Sequence, residues 1–467
     1  MKTLLADGLV ITMNRERSVL RADILMEDDR ITAVLPRGDG EGFRPDGDTE
    51  VVDLHGMTVI PGLVQAHMHV TQALFRGLCD DLALMEWLRE RTWPLEAAHT
   101  AESNAASAGL AVMELIRSGT TAIIDMGTTQ HEDAVFEVMA ETGMRGLFGK
   151  CMMDMGDDLP PLIREDAAAC LRETERLIRR WHMAENGRLR YAVAPRFVPS
   201  CSEGLLLSAR DLARQNSLRL HTHASENLGE IALVEARCHE RNVRYLDRIG
   251  YTGEDVILAH CIWLDEEEKR ILADTGTHVV HCPSSNAKLA SGIAPVAELK
   301  SRGVSLALGL DGAHNHMDGL MEVRLASILQ KALTHDPKAM PAMQVLELAT
   351  LGGAAALGQA DELGSLEPGR KADLVVLDMD MPHSLPAWGR DPVERVVYQA
   401  TRENVVHTVV DGRFLYRDRT FLTLDPKKTL ADAERCCAAL MKRGNVSPAS
   451  SFFCGRRPLL RAGVLPD

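Results

Sequence analysis

The sequence predicts an α/β protein, a (β/α)8 TIM barrel with a small β-sandwich domain formed from both chain ends. Three observations carry this prediction. Eight apolar, strand-like runs alternate with helical stretches across roughly 300 central residues, the pattern of a parallel barrel with insertions. Short strand-type segments separated by turn residues occupy both ends of the chain. No G-x-G-x-x-G and no phosphate-cradling GK[ST] loop occurs, which removes the usual signatures of the alternative, a doubly wound open sheet.

From the N-terminus, Leu9–Met13, Ala22–Met26, Arg30–Val34 and Val51–Leu54 read as strands, divided by Glu27-Asp28-Asp29 and by the Gly/Asp-rich stretch 38–48. Comparable runs return at Ala372–Leu377 and at His407–Arg413. Either set alone is short of a core, so the two are expected to pair into one domain comprising 1–57 and 364–430. The barrel takes 58–363. Its strands are 59–69, Thr120–Asp125, Gly146–Cys151, Arg190–Pro195, Arg219–His223, Val256–His260, His278–Cys282 and Ser305–Asp311. Helical periodicity fills the intervals, as in Ala105–Ser118 and Gly204–Gln215. The remainder, 431–467, is a helix (Leu430–Lys442) followed by a loose Ser/Pro/Arg tail without readable chemistry.

Bulk properties exclude several classes of function. The 467 residues suffice for one large and one smaller domain, and 45% hydrophobic with 25% charged residues is ordinary for a globular chain. A formal charge of −15 argues against nucleic acid and anionic membranes as partners. The ten cysteines are scattered without a C-x-x-C pair, which suits a reducing compartment. The first residues meet acidic and polar side chains before any secretory apolar stretch develops, and no run reaches the ~18 apolar residues of a spanning helix. A cytoplasmic location is expected.

Five metal-capable or proton-handling groups lie at the ends of these strands. His67 and His69 end the first, two residues apart and hence on the same side of a strand. His223 ends the fifth, His260 the sixth and Asp311 the eighth. Singly, each has an ordinary structural role: His260 as a hydrogen-bonded core histidine, Asp311 as a helix cap, His281 as a partner for a backbone carbonyl. Together, at strand ends that a barrel brings to one rim, they are hard to derive from core packing, because buried titratable groups cost several kcal/mol unless paired. Three histidines, His67, His69 and His223, with Asp311 make a divalent-metal site with room for water. Such a metal lowers the pKa of water towards ~7. Asp311 then takes the proton and passes it to the leaving group, His260 stabilises developing charge, and Glu226 protonates a ring nitrogen. The competing role for Glu226 is a cap on the following helix. The fourth strand ends Ala194-Pro195-Arg196, without a lysine to bridge two metals, so a mononuclear site is expected. A P-C-x-x-C ligand pair of the cytidine-deaminase type is absent from the sequence.

Pro61-Gly62-Leu63 with His67-x-His69, His223-x-x-Glu226, Ala259-His260-Cys261, His281–Gly292, Leu308–Gly312 and Gly364–Leu374 together resemble the amidohydrolase superfamily, to about residue 420. Within it the chain is most similar to the deaminases of methylthioadenosine, S-adenosylhomocysteine and 5′-deoxyadenosine, with chlorotriazine hydrolases as relatives. The resemblance implies the barrel, one divalent ion (zinc, with iron as the alternative) and hydrolytic deamination of an adenosine-type nucleoside to its inosine analogue and ammonia. It also implies that Glu96 contacts ribose hydroxyls and that Trp93 either lines the 5′ side or packs in the core. Two features depart from that subgroup. Arg196 stands where many adenosine-type members have histidine, and Gln72 also occurs in guanine deaminases and triazine hydrolases; in those relatives such residues contact the base. A guanine, oxopurine or pterin deaminase and a chlorotriazine hydrolase are therefore the alternatives. His314 and His316 are read as incidental loop residues, and Lys150 as a candidate contact for a homocysteine carboxylate. A small-molecule purine substrate and a homo-oligomer, without nucleic acid or membrane, complete the expectation.

Overall fold

All eight central runs form parallel strands: Leu63–His69, Thr120–Met126, Arg145–Gly149, Leu189–Pro195, Arg219–Ala224, Val256–His260, His278–His281 and Ser305–Leu308. The computed structural model describes residues 2–37, 45–312 and 316–447. Neighbouring strands pair in chain order, and the eighth run closes the sheet in two pieces. Ser305–Leu308 pairs with the seventh strand, whereas Asp311–Gly312 pairs with the first, with Asp311 opposite Met68. Because both faces of a parallel barrel are covered, its strands are apolar on both sides. Val64, Ala66, Ile124, Leu147, Ile257 and Val280 pack with one another in one cluster, and Phe148, Val193, Leu220 and Leu258 belong to the cluster that includes the helices.

Two runs read as single strands are divided, each at a glycine. In 59–69, Met57–Pro61 pairs with Leu374–Asp378 of the end-to-end sheet, and only Leu63–His69 enters the barrel. A Cβ on Gly62, between them, would collide with the Thr121 side chain, so the crossover needs glycine. In 305–311 the strand breaks at Gly309, where a Cβ would lie 2.9 Å from the His67 carbonyl oxygen. Beyond the break Asp311 adopts a left-handed φ of 63°, rare for a residue with a side chain.

The small domain is one continuous nine-stranded mixed sheet from both chain ends. Lys2–Ile11, Val19–Glu27, Arg30–Pro36 and Thr49–Asp53 join Leu374–Asp378, Val405–Val410, Arg413–Arg417 and Thr420–Phe421 through Met57–Pro61. Leu5, Ile24, Val59, Val376 and Val409 share one core, so both ends contribute to it. The run 407–413 turns at Asp411-Gly412 and forms a hairpin instead of one strand. Helices begin where side chains can satisfy their free N–H groups. Ala101–Arg117 is capped reciprocally by Thr100 and Ser103, Glu203–Gln215 by Ser202 and the terminal helix Pro426–Arg443 by Asp425. That last helix buries Ala433, Cys436 and Leu440 with Leu74, Leu95 and Ala98. No helix among the described residues is long and apolar enough to cross a membrane, and the nine described cysteines are free thiols.

A buried ion group ties the two parts together. Arg145, first residue of the third barrel strand, donates to Asp373 through Nε (2.8 Å) and Nη2 (3.1 Å), and also to Asp411. Both carboxylates belong to the small domain. Removing one member of such a group leaves uncompensated buried charge. Arg145→Met is expected to destabilise the protein by about 3–5 kcal/mol in denaturant titration, whereas Arg435→Met, at an exposed ion pair, changes it by less than about 1 kcal/mol.

Candidate metal centre and pocket

The strand ends bring five imidazoles and one carboxylate to one rim, all buried: His67, His69, His221, His223, His260 and Asp311. Ring centroids of His67 lie 5.0 Å from His69, 4.7 Å from His223 and 5.5 Å from His260. One donor atom from each of His67, His223, His260 and Asp311 falls within 4.8 Å of the others. His69, read as a ligand from the sequence, borders the same space. Its Nε2 is 3.2 Å from His223 Nε2 and 3.4 Å from Asp311 Oδ1.

Hydrogen bonds on the far side of each ring decide where the lone pairs point. His69 Nδ1 donates to the Met126 carbonyl (2.7 Å) and His223 Nδ1 donates to the Arg196 carbonyl (2.7 Å). A carbonyl only accepts, so both protons sit on Nδ1 and the neutral rings turn bare Nε2 atoms inward. Two lone pairs then face each other across 3.2 Å, with Asp311 Oδ1 3.2 Å from His67 Nε2. Acceptors facing acceptors in a buried site repel unless a cation lies among them, and imidazole with carboxylate is a donor set that zinc accepts. The charge states agree. Burial holds His67 down at about 4 and His223 well below the usual histidine range. Burial pushes the Asp311 carboxyl up, but the neighbouring His67, His69 and His260 rings outweigh it and hold it well below its usual value.

Glu226 stands beside this group as an acid. The helix Leu228–Cys238 is capped by Asn227, whose side chain accepts from Gly229 N, so the capping role weighed for Glu226 falls to its neighbour. Its backbone N–H donates to Glu230 Oε2 (2.7 Å), leaving the side chain free to enter the pocket. There Oε2 lies 3.6 Å from His260 Nε2 and Oε1 accepts from Ser291 Oγ (3.3 Å). Burial raises its pKa to about 7.

The pocket around this centre is lined by His69, Arg196, His223, Glu226 and Asp311, with Leu84, Trp87, Leu88, Phe197 and Leu289 as its apolar wall. Behind it runs a buried chain: Gln72 Nε2 donates to Glu96 Oε1 (2.9 Å) and Arg196 Nη1 to Glu96 Oε2 (2.7 Å). Three expected substrate contacts thus meet in one network. Trp93 does not line this pocket but a neighbouring cavity of about 260 Å³, shared through Phe197. Lys150 is turned away as well, buried in an ion pair with Glu165 (2.5 Å). His281 is buried without a hydrogen-bond partner on either ring nitrogen among the described residues. His316 is exposed, and His314 lies outside the described residues.

Sequence reading missed the residues that orient the site. His221 Nε2 meets His67 Nδ1 at 2.8 Å; its signal was the His-x-His spacing of His221 and His223, the same as in the first strand. A single turn of chain after the seventh strand holds three working groups. Ser285 Oγ donates to Asp311 Oδ2, Asn286 Oδ1 is 2.9 Å from His260 Nδ1, and Ser291 bonds Glu226.

Comparison with known proteins agrees with this geometry. Residues 58–415 match the amidohydrolase family. The chain is 36% identical, over 95% of its length and 99% of the relative's, to a protein of Methanosarcina mazei named 5′-deoxyadenosine deaminase. It is 40% identical, over 90% of its length and 94% of the relative's, to a Syntrophobacter fumaroxidans protein named 5-methylthioadenosine/S-adenosylhomocysteine deaminase. Among solved structures it resembles an adenosine deaminase from Xanthomonas campestris with bound zinc, at TM-score 0.87 and 32% identity over 94% of this chain and 98% of that one.

Removing a group that orients a metal ligand typically weakens metal binding 10–100-fold. His221→Ala is expected to lower zinc affinity by about that factor in competition with a chromophoric chelator, while Asn286→Leu, which supports His260, leaves it within about threefold.

Proposed function

The chain belongs to the amidohydrolase family, and from that premise we propose that it is a metal-dependent aminohydrolase acting on a C–N bond of a cyclic amidine. Its substrate is an adenosine-type purine nucleoside: 5′-deoxyadenosine, methylthioadenosine or S-adenosylhomocysteine. Water replaces the exocyclic amine, giving the inosine analogue and ammonia. The observation that carries this reading is the facing pair of bare Nε2 atoms beside a carboxylate, with a protonatable Glu226 across the same pocket.

His67, His69, His223 and Asp311 would hold one divalent ion, zinc, with iron as the alternative. His69 is preferred to His260 as the third imidazole because its far nitrogen is locked on a carbonyl, whereas His260 Nε2 faces Glu226. The ion supplies the Lewis acidity that makes a water nucleophilic near neutral pH. Asp311, steadied by Ser285, takes a proton from the attacking water and delivers it to the departing amine. Glu226, whose pKa burial raises to about 7 so that it can serve as an acid near neutral pH, protonates the ring nitrogen next to the carbon under attack and so draws electrons from that carbon. His260, its Nδ1 turned to Asn286, directs Nε2 at the reacting oxygen and stabilises charge there.

Gln72, Glu96 and Arg196 are assigned to the substrate's far side, and Trp93 to packing around the adjoining cavity. Arg196, a pocket-lining guanidinium, also favours a second reading, a guanine or oxopurine deaminase. A cytoplasmic location fits the free thiols of the nine described cysteines, and a homo-oligomer is part of the same reading.

Incubation with each adenosine-type nucleoside is expected to release ammonia and change the purine's ultraviolet spectrum. Both signals should vanish after chelation, return with zinc, and be absent from Asp311→Asn; persistence in metal-free Asp311→Asn protein would refute the mechanism. Faster turnover of guanine than of any nucleoside, with indifference to Glu96→Ala, would select the second reading. Asn286→Leu should lower kcat at least about tenfold with KM little changed, and Asn286→Asp, which keeps the acceptor, should restore part of it.

A further inference from the structure

We propose that the barrel carries a second binding site, for a phosphate-type oxyanion, in a cavity of about 380 Å³ at the end opposite the metal centre. Its elements are the N-terminal ends of strands whose C-terminal ends form the active site. Arg190 is the second residue of the fourth strand, Arg219 the first of the fifth, and Asp255 immediately precedes the sixth. Arg214, from the helix Glu203–Gln215, completes a set of three guanidinium groups lining the cavity.

Their charges are only partly balanced locally: one carboxylate, Asp255, lines the cavity with them, and Asp255 and Glu254 act on Arg219 from beyond ion-pair distance. Arg219 donates to two backbone carbonyls, those of Glu254 and Ala355, and no acidic side chain among the described residues comes within ion-pair distance of it. Arg190 has one carboxylate, Glu362 at 3.4 Å, whose other oxygen accepts from Arg30 at 3.1 Å. Only Arg214 has a close acidic partner of its own, Asp255 at 2.9 Å. Burial pulls the pKa of both Arg190 and Arg219 down, against the opposing pull of Glu362 on the first and of Asp255 and Glu254 on the second.

A fourth donor is set by the backbone. The Tyr191 N–H donates to His182 Nδ1 (3.2 Å), which places the neutral ring's proton on Nε2, and His182 lines the same cavity. Gly358 permits the arrangement: with φ of 72°, a Cβ there would sit 2.9 Å from the Arg219 guanidinium. Guanidinium and imidazole groups lining one cavity suit an anion with several oxygens, because the N–H groups left over from their carbonyl and carboxylate partners can fork onto phosphate oxygens. The volume lies within the range of small-ligand pockets. General electrostatic attraction cannot account for such binding on a chain of net charge −15, so it would have to be local.

Calorimetric titration of the zinc-loaded full chain with orthophosphate, pyrophosphate and ribose 5-phosphate, at constant ionic strength, tests this. Saturable binding of at least one of them is expected, weakened roughly tenfold or more in Arg219→Gln and in Arg214→Gln. Arg214 is the more exposed, so its variant serves if Arg219→Gln fails to fold. Tighter binding of the sugar phosphate than of both inorganic ions would identify an esterified ligand, and the reverse a free ion. Equal affinity in wild type and variants would place the anion elsewhere, at the metal centre for instance, and would overturn the proposal, as would no saturable binding.

Discussion

The site depends on keeping a crowd of imidazoles neutral. Burial disfavours protonation of His67, His221 and His223, and neighbouring rings would repel a proton on any of them; His260 is the exception, its pKa raised because Glu226 and Asp311 face it. A neutral imidazole is the form that binds a metal, so the apolar barrel wall does chemical work by excluding water. The two carbonyl acceptors, on Met126 and Arg196, then settle which nitrogen of His69 and His223 carries the proton. Those carbonyls belong to the ends of the second strand and of the fourth. Neighbouring barrel strands therefore also aim the rings.

The groups that move protons are held differently. Asp311, His260 and Glu226 come from three separate strand ends, yet each is held by a residue from the short stretch 285–291. Their relative placement is thus governed by one turn of backbone and not by three independent loops. Strained conformations occur where this happens: His260 and Asp311 both have positive φ. Such geometry costs of order 1–3 kcal/mol per residue and persists only when its surroundings hold it.

Much of this was legible in the sequence, for reasons that can be named. Apolar runs in a helical alternation locate barrel strands, and histidines at their ends stand out because a buried imidazole needs a partner. The resemblance of the ordered motifs to a known superfamily then supplied the metal chemistry. Orientation was less legible. His221 looked like part of a strand, because its meaning depends on His67, more than a hundred residues away. The divisions at Gly62 and Gly309 were hidden inside continuous apolar runs, since what demands glycine there is a neighbouring strand. Arg145 read as the edge of a strand, although its two partners lie beyond residue 370. That Trp93 faces an adjoining cavity and Lys150 an ion pair with Glu165 was hidden for the same reason: motif position does not say which way a side chain turns.

The sheet assembled from both ends has a consequence for how the molecule is made. On the ribosome Met57–Pro61 emerges early, but its antiparallel partner, Leu374–Asp378, follows only after the whole barrel has been synthesised. At about 5–20 residues per second that delay is roughly 15–60 s, during which one edge of an apolar strand stays open. An open edge is a template for pairing with another nascent chain. The barrel must therefore mature on a polypeptide whose first folded layer is still half built, and translation speed across the intervening codons would set how long that exposure lasts.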